Sequence, residues 1–358
     1  MALYPAGGFR RRTNSLRNWL YVLLLLVIAG GIVAVLFGIN PFRRSESPPG
    51  TLPKGGSPSG QAGQTESVER PSVNVGAVQP KPQTVPVAKQ EPNLLPIPEP
   101  TEQSDPKAIQ LIDEAAECIN AKPARIIEAR DKLNKALSLP MSAQQLESVK
   151  AKLSQLADEW LFSRKIFPED KLCISYKVQP GDNLTIIGKK FKVPYEIIQQ
   201  INKISRPELL PGGETIKVIN GPFHARIYRS SYKLDLYLQD TFVRSFPVGL
   251  GKSGYETPTG LWIVKVEGKL EKPTWTDPDT ARTYLPEDPD YPLGSRWIGL
   301  EGISGSAKGR TGFAIHGTHK PEEIGAATSR GCIRLHNGDA ILMYNALAEG
   351  LSNVIVEE

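Results

Sequence analysis

The apolar positions divide this chain into stretches with different periods. From Trp19 to Ile39 the sequence is apolar and carries no charge. About 20 such residues, rising 1.5 Å each, cross the hydrocarbon core of a bilayer. A transmembrane helix is therefore expected over 19–39. From Pro41 to Ser104 the periodicity vanishes, and Pro, Ser, Gly, Gln and Val dominate. Such a stretch buries too little apolar surface to offset its ordering entropy, so 40–104 is expected to be a disordered, semi-extended linker. Helical spacing follows. Asp105-Pro106 offers an N-cap and a proline at the first helical position, with Ile109, Ile112, Ala116 and Ile119 behind it. A second helix is expected from Pro123 to Leu137, with Pro140 as its breaker. Ser142 and Gln145 form a capping-box pattern that opens a third helix carrying Leu146, Val149, Leu153, Leu156, Trp160 and Leu161. Residues 105–166 thus predict a small helical module with a packing or protein-contact role; its partner is unknown.

Over 175–219 the pattern changes to strand, helix, helix, strand. Val178 ends a short strand, Pro180-Gly181 turns the chain, and Asp182 is the expected cap of the first helix. Ile197, Ile198 and Ile201 give the second helix an apolar face. Pro211-Gly212-Gly213 turns into a closing strand, Thr215 to Val218. Beyond Phe223 the period becomes two. Leu234, Leu236 and Leu238 alternate with Asp235 and Tyr237, as in a half-buried strand. Phe242 to Leu250, Gly260 to Val266 and Trp297 to Leu300 are further expected strands, and a late helix is expected from Asp339 to Leu347. Residues 223–358 therefore predict a mainly-β domain, and the whole chain a multidomain protein.

Charge adds a direction to this layout. Arg10, Arg11, Arg12 and Arg17 precede the apolar run, and only Arg43 and Arg44 closely follow it. The positive-inside rule places residues 1–18 in the cytoplasm and the rest of the chain on the exported side, anchored in the cytoplasmic membrane by one helix. A cleaved signal peptide is the competing reading. The run exceeds the usual length of such a segment, and no clear small-x-small site ends it. The net charge of +5 over 358 residues comes without a dense basic stripe, which argues against nucleic-acid binding. The three cysteines leave at least one thiol without an intramolecular partner, and the pairing of Cys118 with Cys173 stays open. His224, His319 and His336 are scattered without the spacing of a zinc site, so neither metal nor cofactor is expected.

Two short pieces carry candidate chemistry: Ile315-His316-Gly317-Thr318, and Ser329-Arg330-Gly331-Cys332-Ile333-Arg334-Leu335-His336-Asn337. A thiol has an unperturbed pKa of about 8.5 and needs a base or a cation to become a thiolate near neutrality. Histidine is the usual partner. Gly331 leaves the backbone beside Cys332 open, and the N–H groups near both residues are candidate oxyanion donors.

The arrangement His316…Ser329-x-Gly331-Cys332, with 332 − 316 = 16, resembles the catalytic motif of the YkuD-type L,D-transpeptidases. Gly249-Leu250-Gly251, Glu256-Thr257-Pro258-Thr259-Gly260 and Pro292-Leu293-Gly294 match further landmarks of that family. Likewise Tyr176-Lys177-Val178-Gln179-Pro180-Gly181-Asp182-Asn183-Leu184, with the segments that follow to Val218, resembles a LysM module. The LysM resemblance implies a βααβ unit that binds N-acetylglucosamine-containing glycan strands. The transpeptidase resemblance implies a two-step acyl transfer on peptidoglycan stem peptides. Cys332 would be the nucleophile and His316 the base, with the Gly317 carbonyl orienting the imidazole. Arg334 would hold a stem carboxylate, unless it serves only a structural salt bridge, and Ser329, Arg330 and Gly331 would line the substrate site. Many members have His where this chain has Arg330, a departure that bears on substrate preference. Two alternatives share these residues: an L,D-carboxypeptidase on the same fold, and a non-catalytic wall-binding tether.

Overall fold

The structure is a computed structural model, and it describes residues 97–210 and 212–358. The apolar run Trp19 to Ile39 and most of the expected linker lie outside the described residues. Among the described residues, no helix is long and apolar enough to cross a membrane.

The described chain opens on a segment expected to belong to the linker. Residues 97–104 form no regular element, yet they are tied down: Thr101 N–H donates to the Met141 carbonyl (3.0 Å). Helix α1 (Pro106–Asn120) starts where Asp105 accepts from the Lys107 N–H at 2.7 Å, as an N-cap should. Helix α2 (Ile126–Leu137) begins three residues later than expected from Pro123, and helix α3 (Ala143–Trp160) follows. The capping box at α3 is only half local. Ser142 Oγ accepts from the Gln145 N–H (3.3 Å), but the Ser142 N–H goes to Ser104 Oγ (2.8 Å), and Ser104 Oγ donates in turn to Gln145 Oε1. The end of the expected linker thus supplies the missing partner. Buried positions on α3 recur at helical spacing, from Leu146 through Val149, Leu153 and Leu156 to Trp160.

The next unit pairs β1 (Cys173–Lys177) with β2 (Thr215–Ile219) antiparallel, with Cys173 opposite Ile219. Helices α4 (Leu184–Phe191) and α5 (Tyr195–Asn202) lie between them in sequence. The cap of α4 is Asn183, which accepts from the Ile186 N–H at 2.9 Å. Asp182, the expected cap, accepts instead from the Gln179 N–H (2.8 Å) and the Tyr176 hydroxyl (2.7 Å). It therefore closes the turn before the helix. Lys217 leaves β2 and is almost wholly buried. Its ammonium donates to the carbonyls of Trp160 (2.6 Å), Ser163 (2.9 Å) and Lys165 (2.8 Å). It thus satisfies acceptors that the end of α3 would otherwise leave orphaned.

The last unit runs through β3 (Phe223–Tyr228), β4 (Lys233–Leu238), β5 (Thr241–Pro247), β6 (Leu250–Gly251), β7 (Gly260–Leu270), β8 (Trp275–Thr276), β9 (Thr283–Tyr284), β10 (Trp297–Gly302), β11 (Phe313–His316), β12 (Ala327–Ser329), β13 (Ile333–Arg334), helix α6 (Asn337–Ala346) and β14 (Asn353–Glu357). Eight strands form one sheet in the order β13-β11-β10-β7-β14-β3-β4-β5, with β11/β13 and β14/β3 parallel. The expected strand from Phe242 to Leu250 is broken after Pro247, because β6 leaves β5's line and pairs with β12, Gly251 opposite Ser329. The expected strand from Gly260 continues past Val266 to Leu270, where β10 picks up its ladder again after a bulge. Helix α6 begins at Asn337, two residues before Asp339.

Strand β4 departs furthest from expectation. Its alternation predicts one solvated face, but Asp235 is 0% and Tyr237 3% exposed. The helical module covers that face. Lys150 Nζ reaches Asp235 Oδ2 at 2.7 Å, Ser245 Oγ donates to Asp235 Oδ1 (2.5 Å), and Asn134 Oδ1 accepts from the Phe242 N–H (2.8 Å). The module is thus part of the core that supports the sheet. Cys118 and Cys173 are both buried and free. Burial raises both thiols, Cys173 to about 12.

Candidate active site

The site lies at the β13 end of the sheet. Strands β11 and β13 run parallel with Ile315 opposite Ile333 and His316 opposite Arg334. Side chains alternate across a strand, so Cys332, one residue before β13, shares the face of His316. Both open into a cleft of about 460 Å³, walled by Tyr255, Trp275, Leu293, Trp297 and Phe313. Trp275 and Thr276 come from the β8/β9 hairpin, whose loop is held to the site by the ion pair between Arg330 and Asp279. The Arg330 guanidinium also lies over the Tyr255 ring at 5.6 Å.

The turn carrying Cys332 is tied by the hydroxyls of Ser329 and Thr257. Ser329 Oγ donates to the Cys332 carbonyl (2.6 Å) and accepts from the Gly331 N–H (3.1 Å). Thr257 Oγ1 donates to the Gly331 carbonyl (2.9 Å) and accepts from the Gly251 N–H (3.2 Å). Gly331 sits at φ +106°, and a Cβ there would meet Phe313 Cε1 at 2.5 Å. Only glycine fits both the conformation and the space. The Ser329 hydroxyl and the Gly331 backbone groups hold the thiol in place through bonds within the turn, and Ser329 also lines the cleft. The Gly331 N–H, spent on Ser329, is not free to serve as the oxyanion donor expected from sequence.

The imidazole is equally constrained. His316 is 4% exposed and stacks on Trp297, with centroids 5.7 Å apart and planes at 17°. Its Nδ1 lies 2.6 Å from the Gly317 carbonyl, the contact expected from sequence. Gly317 is held because a Cβ would lie 2.2 Å from Asn337 Oδ1. Asn337 joins the pieces: Oδ1 accepts from the Ser295 N–H (2.9 Å) and Nδ2 donates to the Thr318 carbonyl (2.9 Å). Burial lowers the His316 pKa to about 4, and the Arg334 charge adds to this; backbone hydrogen bonds to Gly317 and Leu293 oppose it. Burial raises the Cys332 thiol, against a hydrogen bond from the Ala314 backbone and the Arg334 charge. Burial thus favours the uncharged form of each group, the thiol and the neutral imidazole. A ring whose Nδ1–H points at a carbonyl presents Nε2 as its basic atom.

Arg334 is ion-paired with Glu323 and donates to Thr328 Oγ1 (3.1 Å). It also lines the cleft beside His316 and Cys332, so the ion pair coexists with a place at the site. His336 is exposed at the N-cap of α6, and His319 is exposed as well. His224 is buried far along the sheet on β3, where Nδ1 accepts from the Asn353 N–H (3.1 Å). No group of His, Cys, Asp and Glu among the described residues is placed to hold a metal ion. Thr257, Trp297 and Asn337 are the positions that motif reading passed over. Thr257 and Asn337 stood inside the quoted segments, but nothing local showed which backbone groups they would reach.

Residues 222–356 match the family model of the L,D-transpeptidase catalytic domain, and residues 176–218 match the LysM domain. The chain is 31% identical over 134 residues to YqjB of Bacillus subtilis, named as an L,D-transpeptidase; the match covers 37% of this chain and 70% of that protein. It is 28% identical over 185 residues to YkuD of the same organism, also so named, covering 49% of this chain and 95% of the relative. Among solved structures, an L,D-transpeptidase from Mycobacterium tuberculosis H37Rv aligns with 19% identity and a TM-score of 0.31, over 41% of this chain and 63% of the other.

Proposed function

Because this chain belongs to the L,D-transpeptidase (YkuD) family, we propose that it cross-links peptidoglycan stem peptides through a thioester on Cys332. The observation that carries this reading is the placement of Cys332, just before β13, and His316, at the end of the adjoining parallel strand β11, facing one cleft, with the imidazole pinned through Nδ1 to the Gly317 carbonyl.

His316 Nε2 takes the thiol proton as Cys332 Sγ attacks the carbonyl that precedes the terminal D-Ala of a tetrapeptide stem. The carbonyl electrons move to oxygen. With the Gly331 N–H committed to Ser329, the Cys332 N–H is the remaining backbone donor of the turn assigned to that oxyanion. Collapse breaks the C–N bond, and His316 returns its proton to the departing D-Ala amine. An amine from a second stem then attacks the thioester, passes its proton to His316 and displaces the thiolate, which is reprotonated. Burial holds the imidazole in its neutral form through the neutral range, the form able to accept a proton.

The LysM unit supports binding to glycan strands of the same polymer. The charge asymmetry around Trp19 to Ile39 supports a single membrane anchor with the catalytic part on the exported side.

Intact-protein mass spectrometry with a carbapenem tests the nucleophile. The expected result is one covalent adduct, lost in Cys332→Ala; absence of an adduct in folded protein refutes the proposal. With a disaccharide-tetrapeptide substrate, cross-linked dimers mark the transferase. Tripeptide alone would identify an L,D-carboxypeptidase instead.

A further inference from the structure

A second cleft of about 340 Å³ lies where the LysM unit meets the catalytic domain, away from Cys332. It is in the size range of ligand sites, which favour domain junctions. One wall is the end of α4 and the start of α5, with Lys189, Lys192 and Tyr195; the other is Lys269 on β7 and Tyr344 on α6. Asn345 Nδ2 donates to Gln200 Oε1 at 3.0 Å beside it, so α5 and α6 hold the walls together.

The ammonium of Lys269 is the unusual feature. It stands 4.3 Å from the Tyr344 ring centroid and makes no hydrogen bond or ion pair through Nζ among the described residues. Burial disfavours its charge, while Glu196 and Glu349 only partly restore it. Glu349 is engaged elsewhere, with Oε1 accepting from the Lys269 backbone N–H (2.9 Å). Three lysines thus face two glutamates, and the most desolvated cation has no anion of its own. Such a group gains most from a charge-assisted hydrogen bond to a carboxylate. The exposed Tyr195 and Leu351 add apolar surface for the body of the ligand.

We propose that this interdomain cleft binds the carboxylate of an acidic stem peptide from a strand other than the one acylating Cys332. The inference rests on the peptidoglycan reading above for the identity of the peptide. The cleft would hold a neighbouring strand against the enzyme while the thioester waits for its acceptor.

The full chain, with Cys332 acylated by a carbapenem so that the first cleft is closed, is titrated with a synthetic tetrapeptide stem lacking sugar, and binding is read by calorimetry. A sugar-free peptide avoids the glycan groove expected of a LysM unit. Lys269→Met is expected to weaken binding by about tenfold or more, the equivalent of one good charge-assisted bond. Lys269→Arg should retain most of it. On the unmodified sequence, the same peptide with its carboxylates amidated is expected to bind at least about tenfold more weakly, a comparison that needs no folded variant. Equal binding of acidic and amidated peptide, or unchanged affinity in a folded Lys269→Met, overturns the proposal. If no carbapenem adduct forms, the transpeptidase reading fails by itself, and the titration is then run on Cys332→Ala.

Discussion

Ser329→Ala is the sharpest test of how this site is held. The hydroxyl it removes is buried, with the residue 1% exposed, and serves two backbone groups: the Cys332 carbonyl at 2.6 Å and the Gly331 N–H at 3.1 Å. Both partners are left unsatisfied in a place water does not easily reach. Each such loss costs about 1–3 kcal/mol, and partial relaxation brings the expected total to roughly 2–4 kcal/mol. For a domain of this size, each kcal/mol moves the midpoint by about 2–4 °C, so thermal unfolding should fall by roughly 5–15 °C. The released Gly331 N–H and Cys332 carbonyl also loosen the turn that aims the thiol. A misplacement of about 1 Å at a reacting atom can cost on the order of 100-fold in rate. Carbapenem acylation, followed by mass spectrometry below the unfolding temperature, should slow by at least about tenfold. Thr257→Val, which strips the Gly331 carbonyl of its donor at 2.9 Å, should act in the same direction, and the two changes should be non-additive. Acylation within twofold of the original, together with a midpoint shift under a degree, would mean that Ser329 does not hold the turn.

Two further outcomes follow from buried charge. Lys150→Met removes the cation paired with Asp235, a carboxylate at 0% exposure that also accepts from the Ser245 hydroxyl, and should cost about 3–5 kcal/mol in urea unfolding, while Lys150→Met with Asp235→Leu should recover most of that; a single-variant cost below about 1 kcal/mol would contradict the role given to the helical module. His316 and His224 are both lowered to about 4 by burial, from an ordinary value near 6.5. A depressed histidine contributes stability that is present above the unfolded pKa and lost as pH falls towards the folded one, so the unfolding free energy should fall steadily between about pH 6.5 and 4, by up to about 3 kcal/mol per histidine, and the midpoint with it. The acid limb of acylation should likewise lie near pH 4, and a limb near 6.5 in the rate profile would show that His316 is not the buried base described above.

The sequence by itself determined what depends on near neighbours. The helix periodicity of α1 to α3, the Asp105 cap, the βααβ order of the LysM unit and the strand alternation beyond Phe223 follow from positions a few residues apart. The candidacy of His316 and Cys332 was legible because a thiol needs a base and the motif holding both resembles a known one; that they face one cleft is a matter of the fold. Tertiary structure decided everything whose partner is distant in the chain. Asp235 reads as a solvent-facing charge until Lys150, 85 residues away, covers it. The inward hydrogen bonds of Ser329 and Gly331 and the pairing of Arg334 with Glu323 have no trace in the sequence either, while Ser329 and Arg334 still line the cleft. Asn337 gains its purpose only when folding brings Ser295 and Thr318 to either side of it. Period and motif record which groups a segment must bury or expose. Which partner satisfies a buried polar group is settled by the packing of segments that carry no local trace of one another.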